Sequence, residues 1–231
     1  MDRDKIFPGK MRMCDLINQR YITRYPIYSF LVQNSNKIVG KMLDFGCGSM
    51  QYRSIFSKAL TYIGLDVEGA DKNGYIPDED VVYYDGKYIP FADNMFDSAI
   101  AIEVFEHVED IEISLRELSR VIKNEGVLLI TVPMTFPLHL EPWDYRRFTP
   151  YGLEKMLNEN GFDVIKFQKS TSEIDTIRRL KIIEMNRRNS KFTKIYTLYA
   201  NWVFSKRRKN LCDDSKLSIS LLVECKKNKK G

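Results

Sequence analysis

Leu43-Asp44-Phe45-Gly46-Cys47-Gly48 is an apolar run that stops at a glycine pair. A run this short, ending where the backbone is freed from Cβ constraints, reads as a buried strand entering a tight turn. The pattern recurs downstream. Residues 62–65 end at Asp66, residues 81–84 at Asp85-Gly86, residues 96–102 at Glu103 and residues 127–132 at Pro133. Each run is β-branched or aromatic and halts at a polar, glycine or proline residue, as parallel strands buried on both faces do.

Helical periodicity fills the gaps. Ile111, Leu115, Leu118 and Ile122 recur at helical spacing, with Asp110 as N-cap and Gly126 past the end. Thr149-Pro150 predicts an N-cap and a proline at the first helical position; Leu153, Met156 and Leu157 form the apolar face and Gly161 the stop. A strand at 162–167, helical patterns at 174–185 and 192–203, and a last strand at 217–223 follow. The alternation predicts an α/β, Rossmann-like fold, a mostly parallel sheet with helices on both faces. It divides into a single domain over 1–231: a helical cap (1–37), a core (38–167), a basic helical insertion (168–216) and the last strand (217–225).

Hydrophobic residues make up 44% of the 231 and charged residues 29%, a balance that excludes a disordered chain. No apolar run approaches the roughly 18 to 20 residues of a membrane-spanning helix. Residues 1–13 mix Asp, Lys and Arg without the apolar stretch of a signal peptide. Cys14, Cys47, Cys212 and Cys225 form no CxxC pair, which argues against a disulfide framework or a zinc site. A cytoplasmic protein without a metal is the expectation. The net charge of +5 is uneven, since residues 168–216 hold 13 Lys and Arg against five Asp and Glu. That segment alone argues for an anionic partner.

Ligands of open α/β sheets bind at the carboxyl ends of the strands. Those ends carry Asp44, Gly46, Gly48, Asp66, Asp85 and Glu103. The glycines permit close approach of a ligand, Asp66 can accept hydrogen bonds from both hydroxyls of a ribose, and Asp85-Gly86 suits the edge of an adenine. A dinucleotide fingerprint needs a third glycine where Gln51 stands, so a nucleoside without a pyrophosphate fits better.

Residues 43–48 resemble the first motif of class I S-adenosylmethionine-dependent methyltransferases. Asp85-Gly86-Lys87-Tyr88-Ile89-Pro90-Phe91 with Asp93-Asn94-Met95-Phe96-Asp97 is similar to their segment between the third and fourth strands. Val104-Phe105-Glu106-His107-Val108 resembles the block after the fourth strand, and residues 137–149 resemble a segment of methyltransferases of sugar and cell-surface polysaccharide pathways. The resemblance implies seven strands, the last antiparallel, and S-adenosylmethionine as cofactor. It places Gly46 and Gly48 at the cofactor's amino-acid part, Asp66 at the ribose, and Asp85 and Gly86 at the adenine, with Cys47 and Val67 among the cofactor-binding residues. Asp44 and Glu103 complete that set, Glu103 bordering the methyl site. One departure is Met50, where the family often has glycine.

Methyl transfer is an in-line displacement that needs alignment, plus a base when the acceptor is a hydroxyl. His107 and His139 are the two histidines, each just after a strand on the ligand side. His139, in a loop dense in polar and aromatic groups, is the preferred base and His107 the other candidate. That loop reads as an acceptor wall. Its plainer reading makes Asp144 with Arg146 or Arg147 a solvated pair, and Trp143 and Phe148 packing. Tyr21, Tyr25 and Tyr28 are expected to pack on the sheet edge, and the resemblance adds a lid over the cofactor.

The expected activity is methyl transfer to a hydroxyl of a small molecule or glycan precursor. The rival is a non-catalytic or RNA-directed protein that binds nucleic acid through 168–216; it lacks an RNA-reading motif and an Asn-Pro-Pro-Tyr-type block. A homo-oligomer through 168–216 and a peripheral membrane contact are further expectations. Phe192, Ile195, Tyr196, Tyr199, Trp202 and Val203 share one helical face, expected to be buried against protein, with Lys206-Arg207-Arg208-Lys209 exposed.

Overall fold

A computed structural model describes residues 16–69, 80–207 and 215–229. Cys14, Cys212, Arg208 and Lys209 lie outside these, as do residues 1–13. Seven strands form one sheet: β1 (Gly40–Phe45), β2 (Ala59–Val67), β3 (Val81–Tyr84), β4 (Phe96–Ile102), β5 (Ile122–Pro133), β6 (Phe162–Lys169) and β7 (Ser220–Lys227). Their order is β3-β2-β1-β4-β5-β7-β6. The strands from β3 to β5 pair in parallel, and β7 runs antiparallel to both β5 and β6.

Five α-helices lie wholly within the described residues: α1 (Tyr21–Asn34), α2 (Ile111–Val121), α3 (Pro150–Glu159), α4 (Glu173–Arg187) and α5 (Thr193–Arg207). Strand pleating divides the core between the two faces. Leu43, Ala99, Leu128 and Val223 meet Leu115 and Leu118 of α2 and Leu153 and Leu157 of α3. Met42, Ile100, Leu129 and Leu222 meet Ile27, Phe30 and Leu31 of α1 on the other. Asp110 and Thr149 cap α2 and α3 by accepting the amide N–H of Ile113 and Gly152, as their positions predict. Gly161 follows α3 at φ +90, where a Cβ would also strike the Ser119 hydroxyl.

Four expectations are corrected. The chain leaves α2 at Val121, so Ile122 opens β5, and Gly126 lies within that strand instead of stopping the helix. The last strand starts at Ser220, three residues beyond the apolar onset at Leu217. Tyr21 and Tyr25 pack on Phe204 of α5, not on the sheet edge, and Tyr21, Ile22, Ile182, Ala200 and Phe204 form a separate helical core.

The fourth concerns α5. Its buried face is Thr193, Thr197, Ala200, Asn201 and Phe204. Most of the face expected to be covered is open, with Phe192 69% exposed, Ile195 68%, Tyr199 51% and Trp202 50%, while Tyr196 packs on the helical core and Val203 is half-buried. Small and polar residues let α5 sit close to α1 and α4, which turns its aromatic side outward. Lys206 and Arg207 are exposed, as expected. No helix among the described residues is long and apolar enough to cross a membrane.

Candidate active site

The carboxyl ends of β1, β2 and β4 bring the glycine loop, Asp66 and Glu103 to one edge. Gly46 turns at φ +68, and a Cβ there would lie 2.1 Å from Cγ2 of Val104. Glycine is therefore required by the segment after β4, which packs on the loop. The amides of Gly46 and Cys47 both donate to the Leu65 carbonyl, at 2.8 and 3.2 Å. That of Gly48 donates to Oδ2 of Asp66 at 2.9 Å. The next regular element is only a short 3-10 turn, Arg53–Ile55. All three loop amides are engaged and no α-helix N-terminus follows, so this loop offers no pyrophosphate cradle.

Cys47 is buried, and its sulfur points with that of Met50 over Gly64, so the Cys47 side chain belongs to the core. Met50, where the family often has glycine, adopts φ +48, a costly conformation for a side-chain-bearing residue. Asp44 lies buried beneath the loop, accepts the Tyr62 hydroxyl at 2.5 Å, and is pushed up to about 7 by burial. Asp66 has its second oxygen on the Val67 amide, and burial raises its pKa as well. Val67 is exposed at the end of β2. Asp85 uses Oδ1 to accept the Lys87 and Tyr88 amides, and Gly86 turns beside it at φ +81.

Two strands away, the loop after β5 closes over the turn after β4. Arg147 grips both oxygens of Asp144 at 2.6 and 2.7 Å and also donates to the carbonyls of Phe136, Pro137 and Arg146. The Asp144 side chain is 2% exposed, and Arg147 holds its pKa far below the usual range. This is a buried clamp, not the solvated pair that the sequence allowed. Arg146 donates to the Val108 and Glu109 carbonyls, and the Tyr145 amide to the Glu106 carbonyl. Phe148 is core, whereas Leu138, Leu140, Trp143 and Tyr145 are exposed along the loop.

The clamp delivers His139 to His107. Their rings stack edge to face with centroids 4.8 Å apart. Nδ1 of His107 lies 2.6 Å from the Trp143 carbonyl, and burial lowers this histidine's pKa. A carbonyl only accepts, so Nδ1 carries the proton and Nε2 keeps its lone pair. Nδ1 of His139 lies 3.3 Å from both the Pro137 carbonyl and Oδ2 of Asp144, two acceptors for a proton on that nitrogen. Glu103 stands at the end of β4 at φ +52, accepts the Ser220 hydroxyl at 3.3 Å, and is raised to about 7 by burial.

Residues 43–130 match the family model of a methyltransferase domain. Those residues resemble a methyltransferase domain. Among curated relatives, an uncharacterized protein of Methanocaldococcus jannaschii, MJ1252, is 30% identical over 129 residues, which cover 55% of this chain and 49% of that one. A ubiquinone biosynthesis O-methyltransferase of Dinoroseobacter shibae is 27% identical over 192 residues, covering 68% and 76%. An S-adenosylmethionine-dependent methyltransferase of Mesorhizobium loti shares the fold at TM-score 0.54 and 15% identity, covering 91% and 98%. The chain spans about half the length of the first curated relatives it matches.

S-adenosylmethionine is the cofactor used by domains of this kind, and the residues at this edge suit it. Asp44, Asp66 and Glu103 line this edge with carboxyls whose pKa burial raises, and a ligand that carries a sulfonium and an ammonium would favour their charged form. Each Asp66 oxygen accepts one amide and retains a lone pair for a sugar hydroxyl. Glu106, fully buried beside the histidines, joins the site beyond the residues expected from the sequence, and Arg147 sets the loop instead of forming a solvated pair. The signal for Glu106 lay in the quoted block itself, where it adjoins His107.

Proposed function

We propose that the methyltransferase domain transfers a methyl group from S-adenosylmethionine to a hydroxyl of a small molecule or glycan precursor. The observation that carries this reading is the joining of His107 and His139, from two separate strand ends, beside the acidic cofactor edge. The cofactor supplies a methyl group already activated on a positively charged sulfur. Asp66 and Asp85 would hold its nucleoside, and Glu103 would border the reacting end. The histidine pair, fixed with both Nε2 lone pairs available, governs the proton of the acceptor hydroxyl. Leu138, Leu140 and Trp143 form an apolar rim suited to an acceptor with an apolar part. The hydroxyl acceptor in the name of the Dinoroseobacter relative supports the same class.

His139→Ala is expected to retain S-adenosylmethionine affinity by calorimetry while turnover falls roughly 100-fold or more in a screen of phenolic and sugar hydroxyl acceptors. Unchanged turnover would remove the histidine pair from the reaction.

The same reading gives α5 a place at a membrane surface. Residues 185–207 hold six Lys and Arg and no Asp or Glu, and they flank the open face of Phe192, Ile195, Tyr199 and Trp202. Apposing two such faces in a dimer brings like charges together, whereas an anionic bilayer complements both the charge and the apolar stripe. Vesicles containing phosphatidylserine should co-sediment the protein at low salt, and Trp202→Ala with Lys206→Gln should release it. Failure to sediment at low salt, or self-association through this face, ends the membrane assignment.

A further inference from the structure

Beneath the loop after β5 lies an arrangement that methyl transfer alone does not require. Glu106 is 0% exposed, and neither of its carboxylate oxygens has a hydrogen-bond partner among the described residues. Oε1 of Glu103 is likewise buried and unpartnered. A buried carboxyl without donors is unfavourable in its charged form and calls for a cation or a proton.

Arg147 acts on both carboxyls from a distance, but its donors go to Asp144 and to the carbonyls of Phe136, Pro137 and Arg146. His107 and His139 commit their Nδ1 protons to the Trp143 carbonyl and to the Pro137–Asp144 pair, so both imidazoles present bare lone pairs. Nε2 of His107 stands 3.7 Å from Oε1 of Glu106, too far for a shared proton and close enough for a common ligand. One donor atom from each of Glu106, His107 and His139 lies within 4.8 Å of the others. Donors bound at about 2.0 to 2.2 Å to one ion stand somewhat closer than this, a gap that side-chain rotation closes. The support of each imidazole by a carbonyl or carboxylate on its far nitrogen is the arrangement that metal-ligating histidines adopt.

We propose that Glu106, His107 and His139 bind a divalent first-row transition metal ion. Two imidazoles with a carboxylate favour the manganese-to-zinc series over magnesium or calcium, which prefer all-oxygen sites. The inference rests on the hydroxyl-methyltransferase reading for its purpose. Such an ion leaves coordination positions open, holds the acceptor oxygen, and lowers its pKa so that the proton passes to solvent before methylation. The imidazoles then act through the ion instead of accepting that proton themselves. An acceptor with two neighbouring oxygens, a diol or a catechol, fits open positions best because it chelates.

The test uses the full chain, stripped with a chelator and titrated with Co2+ by calorimetry and visible absorption, with Mn2+ as a second probe. One equivalent should bind at micromolar concentration, with d–d bands in the Co2+ spectrum. Glu106→Gln, nearly isosteric and relieved of an unpaired buried charge, should weaken binding at least about 100-fold while the circular dichroism stays unchanged. His139→Ala provides a second variant should the first fail to fold. S-adenosylmethionine is titrated into the same samples. Cofactor binding without any Co2+ or Mn2+ binding at millimolar concentration overturns the metal site and leaves the methyltransferase reading standing. Metal binding without cofactor binding does the reverse. Metal affinity equal in both variants and the parent also overturns the site.

Discussion

Arg147→Ala is expected to be the most damaging single change in the acceptor loop, lowering stability by about 3 to 5 kcal/mol. The guanidinium makes two bonds to Asp144 and three to backbone carbonyls, so its removal leaves a 2%-exposed carboxylate without its cation. The loss extends beyond stability, because Asp144 also accepts the His139 amide and lies against its ring. Urea denaturation should show the drop in midpoint. Turnover should fall further than cofactor affinity, since the damage lies on the acceptor side. Arg147→Lys should recover only part of both, because an ammonium cannot make the forked contact. A midpoint within experimental error of the parent would show that the clamp is dispensable.

Asp66→Ala should weaken S-adenosylmethionine binding by about 1.5 to 3 kcal/mol, roughly 10- to 150-fold. Two effects combine. The substitution deletes the acceptors for the sugar hydroxyls, and it frees the Gly48 amide that now anchors the glycine loop to Oδ2. Asp66→Asn separates them: its amide oxygen can still accept from Gly48 but carries no charge. Calorimetry giving the parent affinity for the alanine variant would remove Asp66 from the cofactor site.

The strand ends were legible where an apolar run stops with its strand: β1 ends at Phe45, and β3 and β4 begin and end where their runs do, whereas β2 and β6 run on two residues past theirs and β7 four. The nucleoside edge was legible for the same reason, since its carboxylates follow directly on those runs. The orientation of α5 was not. Apolar residues fall on nearly every side of that helix, so spacing alone cannot say that Ala200 and Phe204 turn inward while Trp202 turns out. Gly126 misled because glycine ends helices and also relieves crowding in strands, where a Cβ would meet Ile122 and the Lys123 carbonyl. The meeting of His107 and His139 depends on Arg147 folding the intervening loop back, a tertiary event with no periodic trace. Glu106 gains its meaning only from that meeting.

The placement of β7 between β5 and β6 sets the order in which the chain can be built. During synthesis β5 acquires β4 on one side as soon as both have emerged, but its other edge waits for residues 220–227. At about 5 to 20 residues per second, a ribosome takes several seconds to deliver them. Throughout that interval Val127 to Val132, an apolar β-prone segment, offers an open row of backbone amides and carbonyls. Neither can β6 join the sheet, because its ladder is with β7. The nascent chain therefore carries its stickiest edge uncovered until its final strand arrives, and slower translation lengthens that exposure.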